Sequence, residues 1–143
     1  MVALLVLTYY YAKHKDNASR QTCVDFYLSQ VDAINNWDLV DLSCYKILGH
    51  WLHDKDKQIL YDWARTDHLW KQRIAMISCM HFVKQGEFKD ALAIADLLQH
   101  HPHDLIHKAV GWILREIGKE DEQLLVDYLT PRYKEMPRTM LRY

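Results

Sequence analysis

An aspartate and an arginine set inside apolar helix faces, and a tryptophan set on a polar one, are the side chains of this chain best placed to do chemistry. Successive residues lie about 100° apart around a helix, so residues four apart share a face. Over 36–53, Trp37, Val40, Cys44, Leu48, Trp51 and Leu52 fall on one side with Asp41 among them. A carboxylate is thereby held beside an indole. Over 67–85 the helix is apolar almost all round, and Arg73 stands among Leu69, Trp70, Met76, Ile77 and Met80. A guanidinium there needs an anionic partner. Over 103–118 the core stripe is Ile106, Val110, Ile113 and Ile117, while Lys108, Trp112 and Arg115 take the opposite side and offer an indole to solvent or ligand. Charge among hydrocarbon costs free energy unless something offsets it, so these positions point to a site.

The elements that must position them are helices. Only 4 glycines and 3 prolines interrupt 143 residues, and alternating β-branched runs are absent, which predicts an all-α fold. Helices are expected near residues 2–13, 19–30, 36–53, 56–65, 67–85, 87–100, 103–118 and 120–129, with another starting at Pro137. Asn35 and Asn36 are cap candidates, Gly86 a left-handed stop and Pro102 a break between helices. The longer helices open near Asn36, Asp67, His103 and Pro137, at spacings of 31, 36 and 34 residues, each preceded by a shorter one. Such a period predicts an α-solenoid of stacked HEAT-like or armadillo-like hairpins. If the longer helices line its inner surface, Trp37 with Asp41, then Arg73, then Trp112 converge on one groove from three successive repeats.

The chain length suits one domain, and 50% apolar residues are ample for a core. A formal charge of −1 advertises no global field for nucleic acid, so any basic surface must be local. Cys23, Cys44 and Cys79 are widely spaced with no CxxC pair, which reads as reduced core thiols of a cytoplasmic protein. The opening residues MVALLVLTYYY lack a basic n-region and a cleavage site and are too short to span a bilayer. No membrane association is expected. Both ends have the look of cuts through something longer, so a fragment of a longer solenoid is expected over 1–143. His103 and His107 lie four apart, a spacing that can clasp zinc, but neither an HExxH glutamate nor a cysteine pair accompanies them. No metal or other cofactor is expected, and His100, His101, His103 and His107 are assigned to a solvated loop within reach of DNA. Glu120, Asp121 and Glu122 read as a helix-start cluster that complements the dipole.

The strings Asn35-Asn36-Trp37-Asp38-Leu39-Val40-Asp41, Trp70-Lys71-Gln72-Arg73-Ile74-Ala75 and Lys108-Ala109-Val110-Gly111-Trp112-Ile113-Leu114-Arg115-Glu116 resemble signature segments of the AlkD-like DNA alkylation repair enzymes. Members of that family are HEAT-like-repeat DNA glycosylases that excise positively charged alkylated purines such as 3-methyladenine and 7-methylguanine. The resemblance runs from about Tyr11 to the end. It implies that Trp37, Asp41 and Trp112 frame the lesion and that Arg73 holds the DNA backbone. It also implies that the family's N-terminal hairpins are missing from this chain. The expected partner is duplex DNA carrying alkylated bases, bound by a monomer.

An N3- or N7-alkylated purine is cationic and already a good leaving group, so the need is to stabilise the developing oxocarbenium. A fixed carboxylate at about 4 Å and an effective dielectric near 20 supplies about 4 kcal/mol, roughly a thousandfold in rate. That role falls to Asp41, with positioning of water as a second possibility. Trp37 and Trp112 would attract the cationic base or sugar through their π faces. Arg73 would grip a phosphate, and Lys71, Lys84, Lys108, Arg115 and Arg138 would add salt-dependent attraction. The bland alternative makes Asp41 a structural partner of Lys46, Lys71 or Arg73, Arg73 a buried ion-pair member, and Trp112 an ordinary exposed aromatic. Trp51, Trp63 and Trp70 read as packing residues. The rival function is a non-catalytic helical-repeat module that binds DNA or a protein partner.

Overall fold

The structure, a computed structural model, describes residues 2–29 and 44–142. Every regular element among them is helical. In chain order they are α1 (Val2–Lys13), α2 (Asn17–Ser29), a π-helical turn (Tyr45–Gly49) running into α3 (His50–Leu52), α4 (Gln58–Ala64), α5 (Leu69–Lys84), α6 (Lys89–Leu98), α7 (Asp104–Glu120), α8 (Glu122–Leu129) and α9 (Arg138–Arg142). Each α-helix outside 36–53 agrees with a sequence-predicted helix to within a few residues; of the helix expected over 36–53 the described part is the π-turn and α3, and its start lies outside the described residues. The cap candidates Asn35 and Asn36 lie outside the described residues.

The ends of these helices follow from local chemistry. At the start of α5, His68 is extended and its Nδ1 accepts from the backbone N–H of Lys71 at 3.2 Å. At the far end Gly86 adopts φ +82°, the Gly86 N–H donates to Val83 O, and the Glu87 N–H donates to Phe82 O. This pair of bonds is a Schellman closure, which needs a left-handed residue at that position. Asp121 ends α7 and at once caps α8, its carboxylate accepting from the Leu124 N–H at 3.1 Å.

α5 is the centre of the packing. It meets the π-turn, α4, α6 and α7, while α8 and α9 pack on the far side of α7. Ile74, Met76, Ile77, Met80, Phe82 and Val83 of α5 are buried together with Ile47, Leu48, Leu60, Ile94, Leu98, Ile106, Val110 and Ile113. Each fully buried aliphatic or aromatic side chain contributes about 1.5–3 kcal/mol, against about 1 kcal/mol for a single hydrogen bond. Packing therefore holds the helices together, and polar ties choose their register. Tyr61 donates to Asp90 across α4 and α6. Asp96 of α6 accepts from Tyr128 Oη at 2.8 Å and from Arg132 Nε at 2.9 Å, and the Arg132 guanidinium lies 4.1 Å from the Tyr128 ring centre. Cys23, Cys44 and Cys79 are buried free thiols.

The π-turn crosses α5 at a distance that only glycine permits. A Cβ on Gly49 would lie 2.4 Å from the carbonyl oxygen of Ser78. That obstacle is backbone and cannot swing away. Beside this crossing the imidazoles of His50 and His53 lie edge-on to His81, with ring centres 5.0 and 5.1 Å apart. Burial first, then the charges of its two histidine neighbours, pushes His81 down to about 4.

Gly49→Ala is expected to destabilise the fold by about 3 kcal/mol or more, as overpacking against fixed backbone does. Gly86→Ala should cost only about 1–2 kcal/mol for its left-handed backbone, and urea midpoints of the two variants will rank them. An unfolded histidine titrates near 6.5, whereas folded His81 resists protonation until about 4. The unfolded chain thus takes up a proton that the folded chain refuses, so stability is whole above pH ~6.5 and is lost as pH falls toward ~4. Urea midpoints at pH 7 and pH 5 should fall accordingly, with a smaller fall in His81→Gln.

Candidate nucleic-acid interface

Lys108, Trp112 and Arg115 project from α7 on the side away from its core stripe of Ile106, Ala109, Val110, Ile113, Leu114 and Ile117, all buried. The sequence spacing requires this division, because the polar residues recur at three and four positions out of phase with the apolar ones. Trp112 is half-buried, with its inner edge on the core, and Arg115 is exposed. Lys108 Nζ stands 3.7 Å from the Asp104 carboxylate one turn earlier. An exposed pair of this kind is worth well under 1 kcal/mol and leaves the ammonium available to a stronger anion.

Lys71 and Arg73 come from the first turns of α5. Lys71 is half-buried, its Nζ 5.9 Å from the ring centre of Trp63. Arg73 is 5% exposed, and its Nη1 donates to the carbonyl of Leu105 in the first turn of α7. The guanidinium thus joins the two longest of the described helices at their N-terminal ends. Leu105 precedes Trp112 by two helical turns, roughly 10 Å along α7. Trp37 and Asp41, the other members of the sequence-predicted site, lie outside the described residues.

Of the histidines expected in a solvated loop, His101, His103 and His107 are tied into a clamp between α5 and α7. His101 Nδ1 accepts from the His103 N–H at 3.0 Å, so the neutral ring carries its proton on Nε2 and donates it to Gln72 Oε1 at 2.8 Å. Gln72 in turn donates from Nε2 to Thr66 O at 2.6 Å. His107 donates from Nε2 to His101 O, and His103 caps α7 through Nδ1. Burial first, then its neighbours His103 and His107, lowers the His101 pKa and keeps it in the neutral form this chain of bonds needs. Only His100 of the four is fully outside the clamp, on the exposed surface. Among the described residues, no three His, Cys, Asp or Glu side chains are grouped to hold a metal ion, and no helix is long and apolar enough to cross a membrane.

The comparisons with known proteins give the family and the fold. The family model described as DNA alkylation repair enzyme matches residues 1–143, the whole chain. The chain belongs to this family. In fold it is similar to a solved protein described as a predicted DNA alkylation repair enzyme from Enterococcus faecalis, with a TM-score of 0.65 over 95% of this chain and 70% of that one. The two sequences are 18% identical. None of the curated proteins matches significantly.

Two clusters escaped the sequence reading. Gln72, one residue from Arg73, passed as a neutral polar residue, although it binds the α4–α5 connection to the α6–α7 connection. The second is the His50, His53 and His81 group, signalled by the three-residue spacing in His50-Trp51-Leu52-His53 at a helix end.

Removing the buried guanidinium should be felt without any DNA present. Arg73→Ala is expected to lower stability by about 1.5–3 kcal/mol, the range for a hydrogen bond from a charged group. Arg73→Lys should recover only part of it, because an ammonium lacks the planar fork. Urea midpoints of the three proteins check both statements.

Proposed function

We propose that this member of the DNA alkylation repair family is a DNA glycosylase that hydrolyses the N-glycosidic bond of positively charged alkylated purines, 3-methyladenine and 7-methylguanine, in duplex DNA. The observation that carries the reading is the half-open indole of Trp112, set between Lys108 and Arg115 on the free face of α7 in a chain whose whole length fits the family. The proposed architecture is a HEAT-like α-solenoid, a monomer acting in the cytoplasm without cofactor or metal, with DNA along its concave side.

In the reaction the C1′–N bond breaks and its electron pair moves to the purine nitrogen, which neutralises the cationic base. The sugar is left as an oxocarbenium ion that water captures at C1′, giving an abasic site. Asp41 would stabilise that cation, or position the water, while Trp37 and Trp112 present π faces to the charged base and sugar. Lys71, Lys108 and Arg115 would hold the phosphates. The narrow open edge of Arg73 is all that a phosphate could reach, so more of the backbone contact falls to Lys108 and Arg115 than the sequence suggested. Arg73 would act chiefly by setting α7 against α5.

Duplex containing 7-methylguanine, incubated with the wild type, should release free base. Asp41→Asn should lose most of the release, by roughly a thousandfold, while keeping its affinity for the duplex. Arg115→Ala should weaken binding and lower its salt dependence by about one phosphate contact. Salt-dependent binding with no release by the wild type would instead make the chain a non-catalytic DNA-binding module. Absence of salt-dependent binding would leave a protein-partner scaffold.

A further inference from the structure

A cavity of about 180 Å³ opens beside the π-turn, lined by Tyr11, Arg20, His50, His53, Lys55 and His81, with Asn17, Trp51 and Asp54 at its edge. It lies by the C-terminal end of α5. Arg73 sits eight residues earlier on that helix, roughly 12 Å away, so the cavity is separate from the candidate interface. Its volume equals that of about six waters, enough for a tetrahedral oxyanion with part of its hydration.

The lining is a set of donors. Arg20 spends Nε on the carbonyl of His14 at 3.0 Å, and its guanidinium lies 4.7 Å from the Tyr11 ring centre. That stacking orients the guanidinium of a residue that lines the cavity. Lys55 is held in place by the Trp51 carbonyl at 3.2 Å, with Nζ 3.9 Å from the Trp51 ring centre. The Tyr11 phenol, kept protonated by burial with its pKa pushed up to about 12, donates to His50 Nδ1 at 2.8 Å. The neutral His50 ring therefore carries its proton on Nε2 and is a donor there. Among the described residues Asp54 is the sole carboxylate of the lining, and Lys55 Nζ engages it at 3.0 Å. Arg20 and Lys55 against Asp54 give these described residues one net positive charge with the imidazoles neutral.

We propose that this cavity binds a phosphate group, with Arg20 as its principal anchor and Lys55 and the His50, His53 and His81 imidazoles completing the cradle. Arginine offers a planar fork that matches two phosphate oxygens, and the His50 and His81 imidazoles, both lowered, add charge only when an anion arrives.

The groups facing these rings from each packed element set the sign of the pH dependence. At His50, Arg20 from α2, His53 and Lys55 after α3 repel a proton and Asp54 attracts one; at His81, His50, His53 and Lys84 of α5 repel a proton and Glu87 attracts one. Burial comes first for both rings and, with the repulsion, lowers His50 and takes His81 to about 4. A bound phosphate reverses the repulsion and raises both. Binding is then coupled to proton uptake, and affinity counted per phosphate dianion strengthens as pH falls from 7.5 to 5.5, the range in which phosphate itself takes up a proton. This inference does not rest on the glycosylase reading.

The test is NMR of the full chain, following histidine C2–H signals while inorganic phosphate is added between pH 7.5 and 5.5 at ionic strength fixed with NaCl. His50→Gln and His81→Gln assign the signals. The expected result is a saturable shift of the His50 and His81 signals, a rise in their titration midpoints, and affinity about tenfold weaker in Arg20→Gln. If that variant does not fold, Lys55→Met is read in the same way. A second arm replaces phosphate with unmodified duplex DNA. Movement of the same signals by duplex but not by inorganic phosphate assigns the site to a strand phosphate, and the converse assigns it to a free phosphate group. Equal movement by NaCl alone, or no movement with either probe, overturns the proposal. Base release is a separate readout, so failure of excision leaves the site standing and failure of the site leaves excision standing.

Discussion

A helix covered by neighbours from several directions, as α5 is by the π-turn, α4, α6 and α7, can carry a charged side chain inside only where a partner is built for it. Desolvating a guanidinium costs several kcal/mol unless hydrogen bonds replace its water. Arg73 finds one such bond at Leu105 O in the first turn of α7. The consequence is geometric as well as energetic. Because the carbonyls of a first turn are fixed by the helix, a bond from α5 to that turn sets how α7 is rotated. Rotation of α7 decides whether Trp112 faces the core or the open side. The buried charge and the half-open indole are therefore two ends of one constraint.

The histidine clamp works on the same two helices from outside. Thr66, Gln72, His101 and His107 connect the segments around the starts of α5 and α7 through a chain of bonds in which those of His101 demand one tautomer. A neutral imidazole donates from one nitrogen and accepts at the other, so protonating His101 would turn its accepting Nδ1 into a second donor facing the His103 N–H. Burial of His101 opposes that protonation. The α7 end that carries the Arg73 contact is thus held by packing, by a charged hydrogen bond and by a neutral polar chain, which respond differently to salt and acid.

The helices were legible because apolar periodicity survives where a helix keeps one polar face, as in α7, whose stripe from Ile106 to Ile117 is buried as the spacing requires. Gly86 was legible for a second reason, since a left-handed stop leaves few residue choices. Other features were hidden. Periodicity cannot orient α5, where apolar residues point every way, so the sequence could identify Arg73 as misplaced but not say that Leu105 O would receive it. Nor could it foresee the π-turn at Tyr45–Gly49, which is written in the 2.4 Å clearance at Ser78 rather than in any local motif. The His50, His53 and His81 group joins two helices distant in sequence, and only their crossing reveals it. The segment with Trp37 and Asp41 lies outside the described residues, so that half of the candidate site rests on the sequence and the family.

On the proposed reading, the interface must satisfy two electrostatic demands that oppose each other. Phosphates call for cations, yet the lesion is itself a cation, and a lysine close to it would raise the barrier that the enzyme has to lower. α7 separates the two by type and not by distance. Lys108 and Arg115 flank Trp112 on the same face, but their charges sit at the ends of long flexible stems that follow the strand. The indole between them offers a fixed negative π face to the base. Charge–quadrupole attraction falls off faster with distance than charge–charge repulsion, so the arrangement favours a cationic base only in contact with the ring. A carboxylate contributed from the segment of Asp41 would then tilt the balance at the sugar, where the positive charge grows as the bond breaks. Net charge near zero serves the same end, because a protein with a strong overall positive field would hold undamaged duplex tightly everywhere and gain nothing at the one base that carries its own charge.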